Sequence, residues 1–281
     1  MTKNLFSLLT VVGAVLAGLA AAMFVWANTA QRFSDQEFEV LGEDMSSSES
    51  PLVTYEQRYA NWQRPPGPLR VGLQVGHWNN DEFPEELARL RNNGGASGGG
   101  KAEWQVNLAI AQATAQLIAE RNSDVIVDIL PATVPPMYLA DIFVAIHADG
   151  SPDPGVAGFK VAAPSARRDL TRQGALLETI FKQHYAQATG MPQDANITRN
   201  MRGYYAFNWR RYEHSTHPMT PAIIVETGFL TSQSDQRILV RNPQLAAQGI
   251  ANSVFDFLGI EPKPLLAQPN LSTDAMQDEI L

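Results

Sequence analysis

Five short apolar runs rich in β-branched residues alternate with longer segments of helical spacing, and this order restricts the chain to few folds. Leu69–Val75, Val125–Leu130, Asp141–Ile146, Val156–Ala163 and Ala222–Val225 have the length and composition of strands. Lys101–Arg121, Ala166–Thr189 and Pro243–Leu258 fit helices; in the first of these, Val106, Ile110, Ala113 and Leu117 fall on one stripe with Gln112 and Gln116 off it. Strands separated by helices pair in parallel, because a helix returns the chain to the same edge of the sheet. The expectation is an α/β fold in which a mostly parallel sheet is flanked by helices on both faces.

Sites in such sheets gather at the carboxyl ends of the strands. The residues that follow the strand runs are therefore the informative ones: Gly76-His77, His147-Ala148-Asp149 and Glu226-Thr227-Gly228. A single histidine in that position is more often a packed or hydrogen-bonded residue than a ligand. Two at the same edge raise the metal reading.

The chain has no cysteine and five histidines, so any transition metal must be held by His, Asp or Glu. Catalytic zinc takes three protein ligands and leaves one position open; two imidazoles and one carboxylate form a common set. Glu103 is a candidate third ligand, at the start of a helix that follows the loop Gly94–Gly100. Glutamate is also favoured in the first turn of any helix. The Gly94–Gly100 loop is expected to act as a flexible flap by the site.

Net charge bounds the partners. At −8, with a pI of about 5.1, the chain has no basic tract to neutralise phosphates, and nucleic acid is excluded as a partner. At the N-terminus, Lys3 precedes an uncharged run from Asn4 to Gln31 with an apolar centre from Phe6 to Trp26. That centre is long enough, at about 1.5 Å per residue, to span roughly 30 Å of hydrocarbon. Residues 1–31 are expected to be a signal-anchor or transmembrane segment, with secretion after cleavage as the alternative. Lys3 would keep the short leading end in the cytoplasm and place the remainder outside it.

Residues 32–68, polar, acidic and ending in Arg64-Pro65-Pro66-Gly67-Pro68, are expected to form a stalk. Residues 69–260 would be the catalytic domain, and 261–281, with three prolines and scattered acids, a mobile tail.

Four blocks carry a family resemblance: Gly76-His77; Lys101-Ala102-Glu103 leading into Val106–Ala111; Ala140–Ala148; and Val225-Glu226-Thr227-Gly228-Phe229-Leu230. Their order is similar to that in zinc-dependent N-acetylmuramoyl-L-alanine amidases. The resemblance implies a twisted sheet with flanking helices, His77, Glu103 and His147 as zinc ligands, and Glu226 as the catalytic carboxylate. The implied substrate is peptidoglycan, its glycan strand and stem peptide, cut between muramic acid and L-alanine by zinc-activated water. An unidentified activator protein is a further candidate partner, which the sequence neither requires nor excludes. The sequence departs from the family where Gln74-Val75-Gly76-His77-Trp78 stands for an Asp-Pro-Gly-His-Gly-like opening, and where Asp149 replaces the customary asparagine.

The segment from Arg199 to Pro218 is dense in arginines and aromatics in an otherwise acidic chain. Guanidinium forks bind carboxylates and aromatic faces stack on sugars, so Arg202, Arg210, Arg211, His214 and His217 are candidate substrate-binding residues. The bland counterpart is a surface loop whose aromatics cover the core. His184, within a helix beside Lys182 and Gln183, is expected to be a solvated helix residue. The rival readings of the chain are a metal-free wall-binding module of the same fold and a zinc hydrolase of a different amide.

Overall fold

The computed structural model describes residues 54–261. The expected anchor, most of the stalk and nearly all of the tail lie outside these residues. Among the described residues no helix is long and apolar enough to cross a membrane.

Among the described residues seven strands form, β1 (Arg70–Val75), β2 (Ser97–Gly98), β3 (Lys101–Ala102), β4 (Ile126–Leu130), β5 (Ile142–Asp149), β6 (Lys160–Ala162) and β7 (Ala222–Phe229). Five of them make one sheet in the order β4-β1-β5-β7-β6. The first four are parallel, with Val71 opposite Val127 and Ile142, and Phe143 opposite Ala222; β6 runs antiparallel to β7 at the edge. The mostly parallel sheet is thus as expected. Strands buried on both faces need continuous apolar runs, which Val71–Val75, Ile142–Ile146 and Ala222–Val225 supply, Gln74 excepted.

The long helices are α1 (Glu103–Arg121), α2 (Gly174–Thr189), α3 (Gln233–Leu239) and α4 (Pro243–Leu258). Helix α1 buries Val106, Ile110 and Ile118, α2 buries Leu177, Phe181 and Tyr185, and α4 buries Ile250, Val254 and Phe255. These join Leu73, Val144, Ile146, Val161, Ile223 and Val225 in one core. Because successive strand residues point to opposite faces, the alternate set of Phe143, Ala145, Ala162, Ala222 and Ile224 lies on the other side, in a second core with Phe83, Leu87, Met201 and Phe207. That second face is covered by short helical turns, Glu85–Leu90, Arg199–Arg202 and Tyr205–Phe207, and the loops between them. Helices therefore flank both faces, long ones on one and single turns on the other.

Residues Tyr55–Pro68, read from composition as the end of the stalk, pack onto the domain, and the compact unit begins at Tyr55. The Tyr55 ring meets Trp209 edge to face at 4.8 Å, Tyr59 meets His217 at 5.4 Å, and Trp62 lies 6.0 Å from the same imidazole. Arg64 forms an ion pair with Asp141 and also donates to the carbonyls of Pro65, Gly67 and Pro68. The Pro/Gly content suggests a free linker, but the spaced aromatic rings find apolar partners and tie it down.

Several element limits also differ from the sequence reading: the strands expected to end at Ile146 and Val225 run on to Asp149 and Phe229, so His147 and Glu226 lie within them. The helix expected from Ala166 starts at Gly174, since Arg172 takes a left-handed backbone conformation (φ 58°) and Asp169 accepts the Gly174 N–H at 2.8 Å. The strand expected over Val156–Ala163 shortens to Lys160–Ala162, because Phe159 bonds instead to Pro192 and Asp194.

Candidate active site

The carboxyl edge of the sheet brings together three side chains from three elements. His77 lies just beyond β1, Glu103 opens α1, and His147 lies near the end of β5. One nitrogen or oxygen of each falls within 4.8 Å of the others. The Nε2 of His77 is 3.4 Å from Glu103 Oε2, and His147 Nδ1 is 3.1 Å from Glu103 Oε1.

Each of these groups is oriented by a partner. The Nδ1 of His77 lies 2.6 Å from the Asn93 carbonyl, which accepts its proton and leaves Nε2 as the free lone pair. Glu103 accepts the N–H groups of Ala96 and Ala148 at 2.7 and 3.1 Å and the Asn107 amide at 3.2 Å. The glycine loop supplies Ala96: β2 and β3 form a small hairpin turned by Gly99-Gly100, so the loop expected as a flap carries one of the Glu103 donors.

Two glycines make room for the cluster. A Cβ at Gly76 would collide with the His147 imidazole, and one at Gly95 with the Glu103 carboxylate and the His77 ring.

Electrostatics favour ligand forms. Burial lowers the His77 pKa and keeps the ring neutral, against the opposing charge of Glu103. Burial pushes the Glu103 carboxyl up, but the hydrogen bond and charge of His147, the charge of His77 and the Ala96 N–H outweigh it and hold the pKa at about 2. Two imidazoles and an ionised carboxylate, packed against cleared space, fit a divalent metal ion.

Glu226 of β7 is the register partner of both His147 and Lys160, and so lies on the same sheet face as the cluster. It lines a cleft of about 420 Å³ with His77, Glu103, His147, Asp149 and Tyr204. Burial, then the Asp149 and Glu103 carboxylates, raise the Glu226 pKa well above the ordinary carboxylate range; Lys160 opposes them. Lys160 itself is buried and ion-paired to Asp149 at 2.6 Å and Asp194 at 3.4 Å.

None of the five candidate substrate-binding residues lines this cleft. Arg202 is tied to Glu178 at 2.9 Å, His214 to Glu86 at 2.8 Å, and His217 sits under Tyr59 and Trp62. Arg210 stacks on Tyr55 and Trp209, and Arg211 on Tyr212. The same segment reaches the cleft through Thr198, Asn200, Met201 and Tyr204 instead. His184, expected to be solvated, lies 2.8 Å from Asp256 of α4. Sequence reasoning passed over Lys160 and Tyr204. A lysine inside an apolar run was the available signal for the first; nothing local distinguished the second from its aromatic neighbours.

The fold and the cluster together define an α/β domain with a two-histidine, one-glutamate centre at the carboxyl edge of its sheet. Residues 136–256 match the family model described as N-acetylmuramoyl-L-alanine amidase, which supports the family resemblance. The matched region contains His147 and Glu226, whereas His77 and Glu103 precede it. No curated protein matches the sequence.

Among solved structures, the chain is similar to the catalytic domain of CwlV, an N-acetylmuramoyl-L-alanine amidase from Bacillus (Paenibacillus) polymyxa var. colistinus. The identity is 20%, over 69% of this chain and 99% of that one, with a TM-score of 0.48. It is similar to the amidase AmiC2 of Nostoc punctiforme at 21% identity, over 69% and 99% of the two chains, with a TM-score of 0.48. The apo form of the amidase Ami1 from Mycobacterium abscessus is 19% identical over 69% and 100%, also with a TM-score of 0.48.

Proposed function

We propose that this chain is a zinc-dependent peptidoglycan amidase that hydrolyses the bond between N-acetylmuramoyl residues and the L-alanine of the stem peptide. The observation that carries the reading is the convergence of His77, Glu103 and His147 within 4.8 Å, in a cleft that Glu226 also lines. The family match over residues 136–256 gives the substrate class.

His77, Glu103 and His147 would hold the ion. Zinc bound there would polarise the amide carbonyl and lower the pKa of water, a nucleophile otherwise too weak for amides at neutral pH. The chain's own residues do the rest. Glu226 takes a proton from the attacking water and delivers it to the departing nitrogen as the carbon–nitrogen bond breaks, leaving a carboxylic acid on the lactyl side and a free amine on alanine. Its raised pKa suits both acceptance and release of that proton. Asn93, Ala96 and Asn107 keep the ligand set oriented.

Residues 1–31 would anchor the chain in the cytoplasmic membrane, or direct its secretion, with the catalytic domain on the outer side where peptidoglycan lies.

Metal analysis combined with digestion of purified sacculi tests the reading. About one zinc per chain and release of peptides beginning with a free L-alanine amine are expected. Zinc without such peptides would point to another amide, and neither would leave a wall-binding module.

A further inference from the structure

No stretch of the sequence is basic, yet folding gathers arginines from three separate segments. The Trp209 indole N–H donates to the Arg168 carbonyl at 2.9 Å, which sets the turn bearing Arg167 and Arg168 beside Arg210 and Arg211. The Tyr55 ring meets the same Trp209 at 4.8 Å and carries two guanidiniums over it, Arg210 at 4.8 Å and Arg58 at 5.6 Å. Arg58, Arg167, Arg210 and Arg211 are exposed, and Arg168 is half-buried. Burial lowers the Arg168 pKa below its ordinary value, and the charges of Arg167, Arg210 and Arg211 lower it further against Tyr212, so the like charges are close enough to repel.

Such a cluster is out of keeping with the rest of the chain. The net charge is −8, and Arg64, Arg70, Arg91 and Arg202 are each paired with a carboxylate. Among the described residues none of the five clustered arginines has an ion pair, although Glu56 and Glu213 are close by in sequence. An ordinary solvated face mixes the two signs. Like charges held together without counterions destabilise the isolated domain and become favourable when a negative surface is present.

The fold puts this cluster at the end of the sheet opposite the cleft. Tyr204 meets His147 at 5.3 Å and Phe207 meets Phe143 at 6.5 Å, so the chain runs from the carboxyl edge to the amino edge before it reaches Trp209. Arg167 and Arg168 follow β6, whose antiparallel course leaves the sheet at that same amino edge. Arg64, a few residues after Arg58, is fastened there to Asp141, the residue before β5.

We propose that Arg58, Arg167, Arg168, Arg210 and Arg211, around Tyr55, dock the domain on an anionic phospholipid surface and so turn the cleft away from the bilayer. The inference rests on the membrane location proposed above, since Tyr55 follows Trp26, the end of the apolar N-terminal run, by about 30 residues. A tether of that kind presents the cluster to lipid at high effective concentration. Guanidinium forks match phosphate oxygens, and tyrosine suits the headgroup level. A polymer of the wall would be met at the cleft, on the other edge.

The test uses the full chain in phosphatidylcholine nanodiscs, with and without about 30% phosphatidylglycerol, and an arginine-selective dicarbonyl label read by mass spectrometry. Labelling of Arg58, Arg167, Arg210 and Arg211 should slow about fivefold in the anionic discs, and high salt should restore it. Arg237 and Arg241, exposed in and just after the helix that follows the carboxyl end of β7, should label equally in both. Arg167→Gln combined with Arg211→Gln should return Arg58 and Arg210 to within about twofold of their rates in neutral discs. Equal labelling of the cluster in the two discs overturns the proposal, as does protection of Arg237 and Arg241 in its place, or protection that survives in the double variant. Protection by soluble polyphosphate but not by anionic discs assigns the cluster to a polymer and overturns it too. Catalysis is not read, so a chain without amidase activity leaves the result standing. A chain that stays out of the discs refutes the anchor, and labelling of that soluble chain with anionic vesicles of the same lipids then decides the docking alone.

Discussion

His147 and Glu226 are register partners on adjacent parallel strands, so the second imidazole of the cluster and the unliganded carboxylate rise from neighbouring positions on the same sheet face. Their spacing is set by the ladder of β5 and β7 and not by a loop, which makes it as stiff as the core beneath it.

The two residues should separate by substitution. Glu226→Gln is expected to keep about one zinc per chain and to lose about 10² to 10⁴-fold in kcat, the range for removal of a proton carrier. His147→Ala should lose both metal and activity. Metal content measured beside kcat checks the pair, and full activity in Glu226→Gln would remove the carboxylate from the mechanism.

Gly95→Ala should weaken metal binding while leaving the domain folded. The new methyl would press on the Glu103 carboxylate and the His77 ring, and the site's left-handed backbone (φ 68°) resists a side chain. A loss of about 10 to 100-fold in zinc affinity is expected, as for disturbed outer contacts of other metal sites. Chelator competition, with circular dichroism as the check on folding, gives the answer.

Lys160→Met should be strongly destabilising. It would leave Asp149 and Asp194 facing each other without the ammonium that now bridges them, a change that typically costs about 3 to 5 kcal/mol for a buried pair. Adding Asp149→Asn should recover part of the loss. Urea unfolding of the single and double variants would show it.

Attachment of residues 55–68 should depend on pH in a definite direction. Burial raises the Asp141 pKa, but the Arg64 hydrogen bond, the Arg70 N–H and the Arg64 charge outweigh it, and the folded value falls below the ordinary one. A depressed carboxyl stabilises fully above the unfolded value of about 3.9, and that contribution is lost as pH drops through the folded value. Hydrogen exchange of peptides covering 55–68, corrected for intrinsic rates, should therefore rise in acid. Arg64→Ala should show the faster exchange already at neutral pH, and an unchanged profile in that variant would rule the ion pair out as the fastening.

Much of this was legible in the chain because its signals are local. Apolar runs leading into Gly76-His77 and into His147 mark strands near their carboxyl ends whatever the rest of the molecule does, and Pro243 marks the first residue of α4. What the sequence does not show depends on partners distant in it. Arg202 and His214 look free in a list of residues but are claimed by Glu178 and Glu86. Tyr55, Tyr59 and Trp62 look like linker until Trp209 and His217 are beside them. An apolar stripe says that a helix is buried, not against which face, so the gathering of the long helices on one side could not be foreseen.

That gathering divides labour between the two sides of the sheet. One side is a slab of interlocked helices; the other is irregular chain, from which Thr198, Asn200, Met201 and Tyr204 line the cleft. A grafted replacement for residues 199–217 would have to fill the space of Phe207 and answer the amide of Gln74, yet it would leave the helix packing untouched. The architecture is thus suited to exchange of its recognition surface without renegotiating its stability.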